Sequence, residues 1–531
     1  MRDKANYFRH RRVTASRVYI LCMALCVYSL VGCRSNGEAI TIPVFHSGWA
    51  GPLPASAADA FTFPMHGERL FMEQPVAGRN CGDGRDVPAP LPNPMPSRSW
   101  APPKWKAQGM SIPSATGGAA RFPVVTLDEA LGEYFAVMEI GTPSQKAAVA
   151  IDTGSQLMWI QCEPCLQCGH QSSHYPVFKP KRSTSYGAVQ CDECRGDESV
   201  ATACTKAEGN RPPLDEPNKC VYFVSYGDKS SSTGLVSTET VSIGGTQQEN
   251  IVFGCGLVTS GLVSSLNASG LLGLDRGRLS LVTQLGMKAF SYCLPNRVKN
   301  VHASGYLTFG ALSPAIRSSS ELQYTPLLQN QASRFLSQFY YLNVTGISVD
   351  GRRLSIPSSA FELLPNGQGG TVIDSGTSIT RFVHVAYASL SHAVDKFMDP
   401  SLKRIALEDV SPSACYQVPL NEEEFPQAPK VTIHLEDRVD IHLQSHHVLA
   451  YMGSDSSSRY YCLAFMDSGN GSNAKNFFGN YQQQDFLVEY DLENSRIGFA
   501  PLECNSSKSL RPYYTLIIWL MFLIRFNIGS S

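Results

Sequence analysis

The stretch AVAIDTGS at positions 148–155 recurs later in the chain as GTVIDSGT at positions 370–377. Each copy is an apolar run that ends in an Asp, a hydroxyl residue, a Gly and a second hydroxyl residue. Apolar runs of this length predict strands, and the glycine allows a tight turn directly after each Asp. Two such units predict two β lobes of similar plan, which bring Asp152 and Asp374 to a shared centre.

A second repeated step follows each Asp at a similar distance. The sequence LLG at 271–273 ends 121 residues after Asp152, and FFG at 477–479 ends 105 residues after Asp374. A matched pair of motifs is far more specific for a duplicated architecture than either copy alone.

The rest of the body predicts a mostly β protein with a few short helices. Short apolar or alternating runs broken by Gly, Ser, Asn and Asp predict strands, for example at 134–140, 147–151, 220–226 and 249–253. Helical spacing of apolar residues is confined to 383–397 and, over a shorter stretch, 280–286. The predicted fold class is therefore two β-barrel-like lobes.

Composition excludes several classes of protein. The 531 residues are 43% hydrophobic and 17% charged, which fits neither a disordered nor a collagen-like chain. The formal net charge is −1, but residues 122–504 contain 27 basic and 38 acidic residues, a net charge of −11. The body has no dense basic run, so we predict no nucleic-acid partner. An acidic surface suits a protein that works at low pH.

The two ends of the chain differ from the body. Basic residues followed by the apolar run 18–31 predict a secretory signal peptide at 1–33, with a signal anchor as the alternative. Residues 34–121 include seven prolines between 87 and 103, which indicates a linker or a removable pro-segment. In the tail 505–531, the apolar run 513–524 is short for a membrane helix, so the tail is a candidate lipid-anchor signal.

Cysteines and sequons agree with secretion. Twelve of the sixteen cysteines lie between Cys162 and Cys504, and an even number in a secreted chain predicts six disulfides. The CxxCxxC spacing at 162–168 leaves a metal or iron–sulfur site as an alternative. Candidate glycosylation sites are Asn267, Asn343, Asn470 and Asn505.

The motifs of this chain occur in the same order as in the pepsin-like aspartic proteases. The chain therefore resembles that family, and within it the plant nepenthesin-like branch. The resemblance covers about 134–504 and rests, besides the Asp repeats and Trp159, on GEYF at 132–135, IGTP at 140–143, YGD at 226–228, GCG at 254–256, FSYC at 290–293 and GNYQQQ at 479–484. It implies a bilobal pepsin-like fold with an N-terminal lobe at 122–320, which holds a Cys-rich insertion, and a C-terminal lobe at 321–504. It also makes 34–121 an inhibitory pro-segment.

The resemblance further implies polypeptide substrates, no cofactor, no metal and a monomeric chain in the secretory pathway. The destination would be the cell wall or the vacuole, with membrane attachment if the tail is a lipid-anchor signal. The implied disulfides are Cys162–Cys165, Cys168–Cys255, Cys191–Cys220, Cys194–Cys204, Cys293–Cys504 and Cys415–Cys462.

Two neighbouring carboxyl groups can hydrolyse an amide because one activates water as a base while the other protonates the carbonyl oxygen. Asp152 and Asp374 are this pair, and they cannot both ionise when they lie side by side. By resemblance, the rest of each repeat supports them. The glycines Gly154 and Gly376 bring backbone N–H groups close to the carboxylates. The first hydroxyl residues, Thr153 and Ser375, link the two loops. The last hydroxyl residues, Ser155 and Thr377, hydrogen-bond the carboxylates.

The resemblance also assigns a flap over the site. Tyr226 would lie at the tip of a β-hairpin and bond Trp159 through its hydroxyl, and Gly227 would let the hairpin open. Two positions depart from the family pattern, Gln156 after the first repeat and the charged turn GLDRG at 273–277. The alternative to a secreted acid protease is a binding protein on the same fold, such as a glycosidase inhibitor, because fold does not guarantee function.

Overall fold

The structure is a computed structural model. It describes residues 120–125, 133–169, 171–194, 201–204, 218–261, 268–296, 304–405, 414–420, 425–471 and 474–504. The predicted signal peptide, nearly all of the predicted pro-segment, the tail 505–531 and the sequons Asn267 and Asn505 lie outside these residues. Within the described part of the chain, no helix is long and apolar enough to cross a membrane.

The first half of the described chain is almost entirely strand. Its strands are β1 (Ala120–Val125), β2 (Phe135–Ile140), β3 (Gln145–Asp152), β4 (Trp159–Gln161), β5 (Gly187–Ala188), β6 (Ala201–Cys204), β7 (Cys220–Ser225), β8 (Ser231–Ile243), β9 (Thr246–Ser260), β10 (Gly270–Gly273), β11 (Ala289–Cys293) and β12 (Gly305–Phe309). β1 begins slightly before position 122, inside the predicted pro-segment, and pairs with β12 as part of the body.

The second half of the described chain is also mostly strand. Its strands are β13 (Gln323–Leu328), β14 (Tyr341–Leu342), β15 (Val344–Val349), β16 (Arg352–Arg353), β17 (Thr371–Ile373), β18 (Thr380–Phe382), β19 (Lys403–Ile405), β20 (Cys415–Pro419), β21 (Val431–Leu435), β22 (Asp440–Leu443), β23 (Leu449–Ser454), β24 (Ser458–Leu463), β25 (Phe465–Asp467), β26 (Asn476–Phe478), β27 (Phe486–Asp491) and β28 (Arg496–Pro501). The mostly β fold class with two pepsin-like lobes is thus confirmed.

Helices are short. The α-helices of the described residues are α1 (Cys191–Cys194), α2 (Leu281–Gln284), α3 (Pro314–Arg317), α4 (His384–Phe397) and α5 (Ser445–Val448). Single 3₁₀ turns occur at Pro180–Arg182, Leu336–Gln338, Ser358–Ala360, Glu436–Arg438 and Asn480–Gln483. The helices predicted at 280–286 and 383–397 are confirmed as α2 and α4. In α4, Ala386, Tyr387, Leu390 and Val394 are buried on one stripe, as helical spacing requires.

Strands from both halves of the chain form one antiparallel platform. Its order is β2, β1, β12, β11, β27, β28 and β13. All five residues of β11 and all six of β27 are buried, which is typical of strands covered on both faces. The platform therefore joins the two lobes through the pairing of β11 with β27.

Parallel pairing explains the second repeated motif. β10 lies parallel to β3 with Gly273 opposite Asp152, and β26 lies parallel to β17 with Phe478 opposite Ile373. In both lobes the apolar-apolar-Gly step is thus the strand beside the Asp strand. A methyl group at Gly273 would lie 2.3 Å from the backbone carbon of Gln156, so only glycine fits at this approach.

The disulfide prediction was wrong at two of the six pairs. The structure joins Cys162 to Cys255 and Cys165 to Cys168, not Cys162 to Cys165 and Cys168 to Cys255. The cause is the parallel pairing of β4 with β9, in which the Cys162 N–H donates to the Gly256 carbonyl at 2.8 Å. Cys162 and Cys255 are both buried there, with their Cα atoms 5.4 Å apart.

The remaining cysteines divide into two groups. Cys293–Cys504 and Cys415–Cys462 are present as predicted. Cys191 and Cys220 are both disulfide-bonded, but the side chains of Cys194 and Cys204 lie outside those described, so the pairs Cys191–Cys220 and Cys194–Cys204 stay predictions.

Two of the four predicted glycosylation sites fall in the described chain. Asn470 is exposed in the loop after β25. Asn343 is half-buried, and its Nδ2 donates to the Glu436 carboxylate at 3.1 Å. A glycan on Asn343 would have to be attached to this half-buried, hydrogen-bonded nitrogen, so the exposed Asn470 is the better acceptor of the two.

Candidate active site

The two Asp loops place both carboxyl groups at the junction of the lobes. Asp152 is the last residue of β3, and Asp374 directly follows β17. Both side chains are buried, with 6% and 8% of their surface exposed, and the two carboxyl groups hydrogen-bond to each other. The shared centre predicted from the repeated sequence is therefore present.

Each carboxylate accepts hydrogen bonds from the residues two and three positions after its Asp. The Gly154 N–H donates to Asp152 Oδ1 at 2.8 Å, and the Ser155 hydroxyl donates to Asp152 Oδ2. In the second loop, the Gly376 N–H donates to Asp374 Oδ1 at 2.8 Å, and Thr377 Oγ1 donates to Oδ2 at 2.6 Å. One oxygen of each carboxyl thus accepts from backbone and the other from a hydroxyl, which fixes the plane of the group.

The first hydroxyl residues link the loops reciprocally. The Thr153 N–H donates to Ser375 Oγ at 3.0 Å, and the Ser375 N–H donates to Thr153 Oγ1 at 2.9 Å. Ser375 Oγ then donates to the Ile151 carbonyl across the junction at 2.8 Å. Because both side chains are almost fully buried, these hydrogen bonds lock the relative position of the two carboxyl groups.

The two loop glycines make room for the opposite carboxylate. A methyl group added at Gly154 would lie 2.8 Å from the Asp374 carboxylate oxygens, and one at Gly376 would lie 2.3 Å from Asp152 Oδ1. Each carboxylate therefore packs directly over the glycine of the other loop. Any side chain here would drive the two acids apart.

Burial dominates the electrostatics of the pair. It raises the pKa of Asp152 well above its ordinary value, and the negative charge of Asp374 adds to the rise. Burial also raises the pKa of Asp374, against the hydrogen bonds from Thr377 and Gly376, which favour its charged form. The pair titrates as a unit that holds one proton over a range extended upward in pH. One carboxylate and one carboxylic acid side by side suit the activation of water and the protonation of a carbonyl oxygen.

The predicted flap residue, Tyr226, lies near enough to Asp152 to respond to its charge. Tyr226 follows β7 at the tip of the hairpin formed with β8, and Trp159 Nε1 donates to its hydroxyl at 2.6 Å. Burial and, after it, the charge of Asp152 raise the pKa of the Tyr226 hydroxyl, so it stays protonated. In this turn the residue with positive φ is Lys229, at 70°, whereas Gly227 has no such φ. The structure thus gives Gly227 no conformational requirement for glycine.

Polar residues from the motif at 479–484 support the second loop, and sequence reasoning gave them no role. Asn480 Nδ2 donates to the Ser375 carbonyl at 2.9 Å. Gln483 Nε2 donates to the Phe478 carbonyl at 2.8 Å, and its Oε1 accepts from the Tyr292 hydroxyl. The signal that could have found them is their position directly after the second apolar-apolar-Gly step.

The charged turn after β10 contains a third buried acid, which the sequence showed only as a departure from the family pattern. Asp275 is 2% exposed, its N–H donates to the Ser155 carbonyl at 3.0 Å, and its Oδ1 accepts from the Gly277 N–H at 2.6 Å. Burial raises its pKa from 3.8 to about 7, and its negative charge contributes to the raised pKa of Asp152.

The other departure from the family pattern is also buried beside this turn. Gln156 Oε1 accepts from the Leu279 N–H at 3.3 Å, which ties the end of the first Asp loop to the segment before α2.

Comparison with known proteins supports the family resemblance that the sequence motifs indicated. The family models described as "Xylanase inhibitor N-terminal" and "Xylanase inhibitor C-terminal" match residues 134–311 and 339–501. Aspartic proteinase nepenthesin-1 of Nepenthes gracilis is 36% identical over 382 residues, covering 71% of this chain and 79% of the relative. Aspartyl protease family protein 2 of Arabidopsis thaliana is 34% identical over 398 residues, covering 73% and 74%.

Solved structures agree on the fold. The crystal structure of EDGP matches with a TM-score of 0.56 at 22% identity, over 72% of this chain and 95% of that one. The crystal structure of basic 7S globulin from soybean matches with a TM-score of 0.55 at 20% identity, over 74% and 99%. At this level of identity the likeness concerns the fold alone.

Proposed function

The chain belongs to the pepsin-like aspartic protease family of plants, and from this premise we propose that it is an aspartic endopeptidase active at acidic pH. The observation that carries the proposal is the intact dyad. Asp152 and Asp374 hydrogen-bond to each other, and the loop glycines and hydroxyls hold each carboxyl in place.

In the proposed reaction, a water molecule lies between the two carboxyl groups. The ionised carboxylate takes a proton from this water as its oxygen attacks the carbonyl carbon of the substrate peptide bond. The protonated carboxyl gives its proton to the carbonyl oxygen, so that a neutral tetrahedral diol forms. The carboxyl that took a proton from water then gives a proton to the amide nitrogen, while the other carboxylate takes a proton from one diol hydroxyl. The carbon–nitrogen bond breaks to leave a carboxylic acid and an amine, and the dyad again holds one proton.

Acidic pH suits this chemistry because the shared proton must be present. Burial makes a doubly ionised pair costly, and the pKa values of both Asp152 and Asp374 are raised. The rate should therefore fall as rising pH removes the proton from the pair. The Tyr226 hairpin would cover a bound peptide and exclude bulk water.

The test is cleavage of a denatured globin at acidic pH by the purified, acid-treated chain and by Asp152→Asn and Asp374→Asn. Asp350→Asn is the matched control, because Asp350 is an exposed turn residue. We expect both dyad variants to lose activity by several orders of magnitude while they keep the far-UV circular dichroism of the wild type, and the control to stay active. Full activity in either dyad variant would refute the mechanism.

A binding function is the second candidate, because the matching family models carry the description of xylanase inhibitors. The same preparations can be added to a xylanase assay. A folded chain that inhibits xylanase and cleaves no globin would replace the protease proposal with this one. Proteolysis that depends on both Asp residues, without xylanase inhibition, would dismiss the inhibitor.

We further propose polypeptide substrates, a monomer and passage through the secretory pathway to the cell wall or vacuole as a zymogen. The disulfides and the apolar run at 18–31 support the secretory route. N-terminal sequencing of the secreted protein before and after acid treatment tests both the signal peptide and the removal of 34–121. Release of the protein from membranes by phospholipase tests the lipid anchor.

A further inference from the structure

A cavity of about 240 Å³ is lined by residues of both lobes, among them residues of the turn that contains Asp275. Guanidinium groups dominate its lining, and the described lining residues include no carboxylate: Arg276, Arg278 and Arg334, with Thr283, Ser337 and Gln338. Residues 122–504 have a net charge of −11, so a cavity lined by three arginines is a local concentration of positive charge in an otherwise acidic body.

Arg276 is the most informative of the three. Its Nε is buried without a hydrogen-bond partner, and its guanidinium lies 5.1 Å from the centre of the Tyr340 ring. Among the described residues, none forms an ion pair with it, and burial lowers its pKa. Arg276 is half-buried, and proteins rarely withdraw a cation from water without a counter-charge. The stacking on Tyr340 and the hydrogen bond from the Arg276 N–H to the Gln338 carbonyl at 3.0 Å hold it at the cavity wall.

Neutral donors complete the lining. Thr283 Oγ1 accepts a hydrogen bond from Ser280 Oγ at 3.0 Å, which leaves its own hydrogen free to donate. The Gln338 side chain is 8% exposed and lines the same cavity. Guanidinium, hydroxyl and amide groups around a small cavity are the donor set that oxyanions require, since each guanidinium can donate two parallel hydrogen bonds.

We propose that this cavity binds a tetrahedral oxyanion, the phosphate or sulfate group of a small molecule. The volume has room for the group and part of the molecule that carries it. Arg276 and Arg278 belong to the first lobe and Arg334 to the second, so a bound anion would bridge the lobes. The bridge lies close to the dyad, because the Tyr340 hydroxyl donates to the Leu274 carbonyl and the Leu274 N–H donates to the Asp152 carbonyl, at 2.9 and 2.8 Å.

Isothermal titration of the purified full chain with inorganic sulfate, and separately with inorganic phosphate, tests the site at constant ionic strength set with chloride. Arg276→Gln and Arg334→Gln are the test variants, and Arg334 is exposed, so its replacement should not disturb folding. Arg352→Gln, an exposed arginine on β16, is the matched control. Because sulfate stabilises many proteins without binding, the control is essential.

We expect saturable binding of at least one oxyanion to the wild type and to Arg352→Gln, and a dissociation constant raised by about tenfold or more in each test variant. The tighter of the two oxyanions then identifies the group. Absence of saturable binding to the folded wild type, or equal binding to all four proteins, would overturn the proposal. The readout does not depend on proteolysis, so it stands apart from the test of the proposed function.

Discussion

Replacement of Asp275 by Asn should remove a built-in loss of stability at neutral pH. Asp275 is 2% exposed behind the first Asp loop, and burial raises its pKa from 3.8 to about 7. Asn keeps the shape of the side chain and an oxygen that accepts the Gly277 N–H, the bond that Asp275 Oδ1 makes at 2.6 Å. The substitution therefore removes the titration and little else.

The sign and size of the effect follow from proton linkage. A carboxyl whose pKa is raised by folding binds its proton more tightly in the folded than in the unfolded chain. It therefore stabilises the fold fully below its unfolded pKa, and this stabilisation is lost as pH rises through the folded value. A rise from 3.8 to about 7 corresponds to about 4 kcal/mol, since each tenfold change in an equilibrium constant is about 1.4 kcal/mol.

Urea unfolding of the disulfide-intact protein at a series of pH values between about 4 and 7.5 measures this term. The free energy of unfolding of Asp275→Asn, relative to the wild type, should increase across the series by about 4 kcal/mol. Asp350→Asn should run parallel to the wild type, because Asp350 is exposed. A difference between Asp275→Asn and the wild type that stays constant with pH would refute the reasoning, since the buried acid would then not change its protonation.

Three other substitutions have outcomes set by the structure. Thr153→Val removes the acceptor of the buried Ser375 N–H, so the free energy of unfolding in urea should fall by about 1–3 kcal/mol. An unchanged urea midpoint would mean that this hydrogen bond does not help to hold the lobes together. Gly376→Ala places a methyl group 2.3 Å from Asp152 Oδ1. Its globin cleavage should fall about a hundredfold or more while the circular dichroism is retained, and wild-type rates would contradict the close packing of the carboxyls. Leu390→Ala empties a fully buried position on α4 and should cost about 2–5 kcal/mol in thermal or urea unfolding, whereas a loss below about 1 kcal/mol would mean that this face is not packed.

The Asp275 turn also bears on how the proposed protease would behave outside an acidic compartment. Above the pKa of about 7, ionised Asp275 would add a third negative charge beside a dyad that burial already makes costly to ionise. A rise in pH would then lower both the activity of the proposed protease and the stability of its fold.

Local patterns in the sequence determined much of the molecule. The two Asp repeats predicted both carboxyl loops and the shared centre, because a strand followed by Asp-hydroxyl-Gly-hydroxyl constrains its own backbone and hydrogen bonds within a few residues. The reciprocal contacts of Thr153 and Ser375 join distant residues, and they were implied by the family resemblance rather than by the repeats. Periodicity located α4, and the family motifs gave the contact between Trp159 and Tyr226. These features depend on short stretches of chain or on motifs whose spacing is repeated.

Only the tertiary structure decided which distant residues meet. Cys162 pairs with Cys255 rather than with Cys165 because β4 lies parallel to β9, a contact between segments 93 residues apart that no spacing reveals. In the sequence, Asp275 is only one residue of a charged turn, yet packing against the first Asp loop removes it from water and raises its pKa. Burial and long-range pairing depend on how whole strands assemble, because the free energy of a charge or a thiol is set by what surrounds it in space.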